Sequence, residues 1–146
     1  MLSNEAVVHL IDDHEIIRES LAFLLTAAQL NVRTHESAVA FLKVFPEVEP
    51  GCIVTDMHMP QLDGIELIRR LRGRGSSMPV IVITAADDVA LAVKAIRAGA
   101  IDFLEKPTCA ELLVTWIRSA FVCGECGGRH ETEGPGGYDR DQSSQG

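Results

Sequence analysis

Five short apolar runs, each followed by a longer stretch with helical spacing, set the tightest limit on how this chain can fold. The runs are Ala6 to Ile11, a weaker Leu30 to Thr34, Cys52 to Thr55, Pro79 to Thr84 and Ile101 to Leu104. They are mostly apolar without alternation, as expected for strands covered on both faces. Between them, Ile17, Leu21, Leu24, Leu25 and Ala28 mark a first amphipathic helix, and Val89, Ala92, Val93 and Ile96 mark a fourth. Leu112, Leu113, Trp116, Ile117 and Ala120 mark a fifth. Ser37 and Asp63 are placed to cap the second and third helices, and Asp63 with Glu66 has capping-box spacing. Gly99 stands where the fourth helix should end in a left-handed residue. Five strand-then-helix repeats require parallel strands joined by right-handed crossovers. The expected fold is therefore α/β, a single doubly wound domain with a five-stranded parallel sheet.

A length of 146 residues with 47% hydrophobic content fills one core and leaves no room for a second folded domain. The pattern stops after Phe121: residues 122–146 hold seven glycines and one proline among scattered apolar side chains, too few to offset the entropy of ordering. The expected organisation is a folded domain over 1–121 and a flexible glycine-rich tail over 122–146. The first residues lack the basic and apolar regions of a signal peptide, and no uncharged apolar run is long enough to span a bilayer. With only four unevenly spaced cysteines, the reading is a soluble cytoplasmic protein in a reducing compartment. Net charge is −8; residues 1–121 carry 11 basic and 16 acidic side chains, and residues 122–146 carry 2 and 5. Without a basic stripe, direct nucleic-acid binding by this chain is disfavoured.

In an open parallel sheet the ligand site lies outside the carboxyl ends of the strands. The first strand ends at Asp12-Asp13, the third at Asp56, the fourth at Thr84, and the fifth runs into Lys106-Pro107. Three carboxylates gathered at one edge repel one another unless a cation is present, and an oxygen-only donor set favours Mg²⁺. A carboxylate is also a nucleophile toward phosphorus, and an ammonium such as Lys106 offsets charge on the transferred group. Singly, each residue has a plainer explanation: a helix cap for Asp12 or Asp13, a turn residue for Asp56, a strand-end residue for Thr84, a solvated charge for Lys106. Four separate strand ends, each bearing the group one mechanism needs, outweigh those explanations jointly.

The segments Asp12-Asp13, Thr55-Asp56-Met57-His58-Met59-Pro60-Gln61-Leu62-Asp63-Gly64, Val82-Ile83-Thr84-Ala85, and Ala98-Gly99-Ala100 through Glu105-Lys106-Pro107 resemble the receiver domains of two-component response regulators. The likeness covers about residues 5–121 and is greatest to the FixJ-type branch. It implies the flavodoxin-like (βα)5 fold and a phosphoacceptor, Asp56, that takes its phosphoryl group from a sensor histidine kinase. It further implies Mg²⁺ held by Asp13, Asp56 and the His58 backbone carbonyl, with Asp12 acting through water. Thr84 would hydrogen-bond the phosphoryl group, Lys106 would pair with it, and Thr84 with Phe103 would form the switch. The bond before Pro107 would be cis. A homodimer through the face of the fourth helix and fifth strand would be the response to phosphorylation, and catalysis would be limited to the domain's own Mg-dependent phosphorylation and dephosphorylation. In such domains His58 and Ala86 flank the path of an attacking water and tune the lifetime of the phosphoryl group.

The sequence departs from FixJ-type receivers after the switch threonine, where Ala85-Ala86-Asp87-Asp88 replaces a Gly-His pair. No helix-turn-helix output segment follows, so transcriptional control would act through a domain missing here, unless the receiver acts alone through protein contacts. A haloacid-dehalogenase-like phosphatase also uses an aspartate nucleophile, but it wants a second aspartate where this chain has His58. A flavodoxin-like flavin binder would need a Ser, Thr and Gly-rich first loop rather than Asp12-Asp13-His14-Glu15. Cys123-x-x-Cys126 with His130 is a partial zinc pattern without a fourth ligand.

Overall fold

The computed structural model describes residues 7–125, except 46, 49, 86, 87 and 107–109, and without the side chains of 89 and 122–125. In chain order the elements are β1 (Val7–Ile11), α1 (Glu15–Ala27), β2 (Asn31–His35), α2 (Ala38–Val44), β3 (Gly51–Asp56), α3 (Gly64–Gly73), β4 (Val80–Thr84), α4 (Val89–Ala98), β5 (Asp102–Glu105) and α5 (Ala110–Glu125). The strands form one sheet in the order β2-β1-β3-β4-β5, every pairing parallel. This is the flavodoxin-like doubly wound sheet, and its order reverses between β1 and β3. The two acid-bearing strand ends therefore flank the crevice where such sheets bind ligands.

Strand pairing decides which side chains share a face. Ile11, Ile53, Val80 and Val82 face one way, and α2, α3 and α4 cover them with Phe41, Leu67, Ile68, Leu71 and Ala95. Val8, Leu10, Cys52, Val54, Ile81 and Ile83 face the other way, under Leu25 of α1 and Leu113 and Ile117 of α5. Burial on both faces explains why β1 and β4 carry no polar alternation.

The helix ends follow their expected chemistry in part. Ser37 Oγ accepts from Ala40 N at 3.0 Å, and Asp63 Oδ1 accepts from Glu66 N at 2.9 Å. Glu66 pairs with Arg69 and Arg70. Gly99 ends α4 with φ +127°, and a Cβ there would meet Arg72 Nε at 2.9 Å. Arg72 occupies that space because its guanidinium donates to the carbonyls of Ser76, Met78 and Gly99.

The apolar spacing misplaces several helix residues. Ile17 and Leu24, expected inside, are 40% and 45% exposed, whereas Leu25, expected inside with them, is fully buried. On α4 the expected inward residues Val93 and Ile96 face solvent, while Ala92 and Ala95 are fully buried. Small side chains let α4 approach the sheet closely, so the bulkier ones are left outside. β2 begins one residue later than expected and is a half-exposed edge strand. α5 runs on through Glu125. No helix among the described residues is long and apolar enough to cross a membrane.

Candidate functional site

The acid-bearing strand ends meet as topology requires. β1 delivers Asp12, whose Oδ1 accepts from His14 N at 2.9 Å while its carbonyl accepts from Arg18 Nη1 at 2.8 Å. These bonds tie the β1–α1 turn down and hold Asp12 at 3% exposure. β3 delivers Asp56, also 3% exposed. The loop after it is pinned on both sides: Met57 N donates to Ile83 O and Gly64 N donates to Met57 O, each at 2.9 Å. Glycine at 64 spares the loop a tight contact, since a Cβ would lie 3.0 Å from Asp56 O and 3.3 Å from Met57 Cα. Lys106 N donates to Thr84 O at 2.8 Å, and its Nζ reaches Asp56 Oδ1 at 2.9 Å.

Ligand atoms of Asp12, Asp13, His14 and Asp56 lie within 4.8 Å of one another. Asp13 Oδ1 is buried without a hydrogen-bond partner, and so is Thr84 Oγ1. Orphaned acceptors beside clustered carboxylates are costly unless a cation or a donor meets them, so the donor set fits a divalent metal. Burial pushes the Asp56 carboxyl above its ordinary value; the Lys106 hydrogen bond and charge oppose this, and the charges of Asp12 and Asp13 add to it. A carboxylate with one cationic partner and two like-charged neighbours gains most from a further positive charge that offsets the excess.

Asp12, Asp13, Asp56 and Lys106 are thus brought together as the sequence suggests. Thr84 ends β4 one position beyond Ile83, which pairs with Asp56. Phe103 lies beside Val82 in β5, half-buried against α4's side of the core. The imidazole of His58 is bonded to Asp88, Nε2 to Oδ2 at 2.7 Å. Asp88 is the N-cap of α4 yet makes no capping side-chain bond, because its carboxylate serves His58. Two participants escaped the sequence reading. His14 joins the carboxylate cluster, and its position directly after the aspartate pair was the available signal. Asp88 had only the ordinary signature of a helix cap. Ala86, Pro107 and the side chains of Cys123, Cys126 and His130 lie outside the described residues.

The sheet order, the pinned loop and the buried aspartates with their lysine define a class, and the comparisons agree with it. The pattern of the response regulator receiver domain matches residues 8–118, and the chain belongs to that family. Among similar proteins, the transcriptional regulatory protein FixJ of Azorhizobium caulinodans is 47% identical over 124 residues, covering 85% of this chain and 59% of that protein. FixJ of Rhizobium meliloti is 50% identical over 100 residues, 68% of this chain and 49% of that protein. The chain therefore spans about half to three-fifths of the length of these relatives, and their output segments are not covered. The crystal structure of FixJ-N superposes with a TM-score of 0.76 at 45% identity, covering 79% of this chain and 92% of that one.

Proposed function

We propose that this receiver domain accepts a phosphoryl group on Asp56 from a sensor histidine kinase and passes the change to an output, with transcription as the controlled process. The observation that carries this reading is the 2.9 Å contact of Lys106 Nζ with the buried Asp56 carboxylate, inside a cluster that also holds Asp12 and Asp13. The Asp56 oxygen attacks phosphorus as the bond to the donor nitrogen breaks, and Lys106 and the Thr84 hydroxyl meet the oxygens of the transferred group. Asp13, Asp56 and the His58 carbonyl would hold Mg²⁺, with Asp12 acting through water, and the bound ion would supply charge neutralisation. Catalysis is limited to the domain's own phosphorylation and dephosphorylation.

The added group brings about −1.5 to −2 charges and three strong acceptors to a site whose Thr84 hydroxyl has no partner. Thr84 moves to meet it, Phe103 turns into the space released, and the α4–β5 face pairs with a second copy. The exposed Val93, Ile96 and Ile101 give that face its apolar area. DNA contact belongs to a segment outside this chain, and the setting is the cytoplasm. Residues 1–121 act as the receiver, and 122–146 as a tail or linker. Intact mass after incubation with acetyl phosphate and Mg²⁺ tests the acceptor: the native chain gains one phosphate and Asp56→Asn gains none. A persisting gain in the variant removes Asp56 from the role.

A further inference from the structure

Ser37 and Asp63 cap α2 and α3 from extended backbone, with φ and ψ of −163° and 165° and of −86° and 179°, and each accepts from the amide three residues on. Asp88 precedes α4 and is of a residue type that caps equally well. Its backbone nevertheless stands at φ −106° and ψ 42°, and its side chain bonds no amide of the helix. Oδ2 meets His58 Nε2 at 2.7 Å instead. This carboxylate thus has two rival partners, the His58 ring and the first-turn amides of α4, and the bond to His58 is the one formed. The two ends of that bond are anchored differently. His58 follows Met57, whose N donates to Ile83 O and whose O accepts from Gly64 N. Asp88 N donates to Ala85 O at 3.1 Å, and Ala85 follows Thr84 directly. A shift of Thr84, whose Oγ1 is buried without a partner, is therefore passed to Asp88 but not to His58. At 2.7 Å the bond has no slack, so such a shift breaks it.

We propose that the His58–Asp88 bond is a latch on α4. Closed, it holds the start of the helix in uncapped geometry; open, it passes the Asp88 carboxylate to the Leu91 amide as a cap. Phosphorylation of Asp56 opens it through Thr84, and this trigger rests on the acceptor reading above, whereas the rivalry for Asp88 does not. No proton uptake is required, because a neutral imidazole protonated at Nε2 already donates. The His58 side chain is 61% exposed, so the latch is weak and biases the helix start by about two- to fivefold. A cap contributes a comparable amount, which lets the two states lie close in free energy and makes a modest displacement at Thr84 sufficient to exchange them.

Hydrogen exchange of the Leu91 amide in the full chain, followed by NMR, reads the cap directly. In unphosphorylated protein His58→Ala should slow that exchange by about two- to fivefold, since it frees the carboxylate to cap. Asp88→Ala removes latch and cap together, so adding His58→Ala to it should change nothing further. Acetyl phosphate with Mg²⁺ should slow the same amide in the native chain and leave it unchanged in Asp56→Asn. An unaltered Leu91 rate in His58→Ala, in protein whose circular dichroism matches the native chain, overturns the latch. A slowing that persists when Asp88 is already alanine also overturns it, because the effect then does not pass through that carboxylate. A native chain that gains phosphate by mass yet keeps its Leu91 rate overturns the trigger. One that gains no phosphate overturns the acceptor reading and the trigger with it, while His58→Ala in unphosphorylated protein still decides the latch.

Discussion

Asp56 is held in surroundings that favour its neutral form, and its pairing with Lys106 only partly offsets this. In the metal-free protein the folded-state titration therefore lies above the ordinary 3.8. The unfolded chain releases this proton first as pH rises, so the stability that Asp56 contributes is full below the ordinary value and is lost as pH climbs through the folded-state titration. Asp56→Asn removes that dependence. Its melting temperature in chelator should exceed that of the native chain at neutral pH, with the gap closing below about pH 3.5 as carboxylates protonate. A variant that melts below the native chain at neutral pH would show that the Lys106 pair outweighs burial and like-charge repulsion. The same crowding gives the cluster the chemistry to hold a cation: one ion would offset all three carboxylates together, whereas the Lys106 ion pair is with Asp56.

Two elements depend on single polar devices. Arg72 on α3 ties the loop after its own helix, the approach to β4 and the end of α4 through three carbonyls. Arg72→Ala leaves those acceptors in a half-buried site and should cost about 2–3 kcal/mol in denaturant unfolding, in line with the loss of charge-assisted bonds. At the other edge, His35 of β2 lies 3.1 Å from the buried His9 of β1, and both rings pack on Phe41 of α2. Burial, with the His9 charge second, brings the His35 imidazole from 6.5 down to about 4. The folded state therefore resists protonating it. Stability from this group is present above pH 6.5 and is lost as pH falls through 4. His35→Gln should flatten the acid limb of a urea-midpoint profile by about 1–2 kcal/mol after solvent screening. An unchanged limb would place the acid sensitivity elsewhere.

At the scale of the whole molecule, the proposed function places the chemistry at one end of the sheet and the readout at the α4–β5 edge. β4 joins them, since Thr84 ends it at the site and Val82 pairs with Phe103 within it. The His58–Asp88 bond adds a second link, from the loop after β3 to the first turn of α4. If the α4 face pairs on phosphorylation, Val93→Asp with Ile96→Asp should keep the phosphorylated chain monomeric in sedimentation while the phosphate gain by mass is unaffected. Dimer formation by that double variant would move the interface to another surface.

The order of elements, the parallel sheet and the placing of Asp12, Asp13, Asp56 and Lys106 at one edge could be read from sequence alone. Buried parallel strands need uninterrupted apolar runs, and strand ends in such sheets face one crevice whatever the loops do. Helix faces were less legible. Ile17, Leu21, Leu24, Leu25, Ala28 and Val89, Ala92, Val93, Ile96 all satisfy the spacing for a core stripe. Yet of these the depth at which each helix sits buries Leu25 and Ala92 and leaves Ile17, Leu24, Val93 and Ile96 exposed, while Ala95, outside the stripe, is buried. The partners of His14, His58 and Arg72 were beyond sequence reading for a related reason. Each depends on where a side chain from one loop ends relative to another segment, and only the packed sheet with its helices settles those distances.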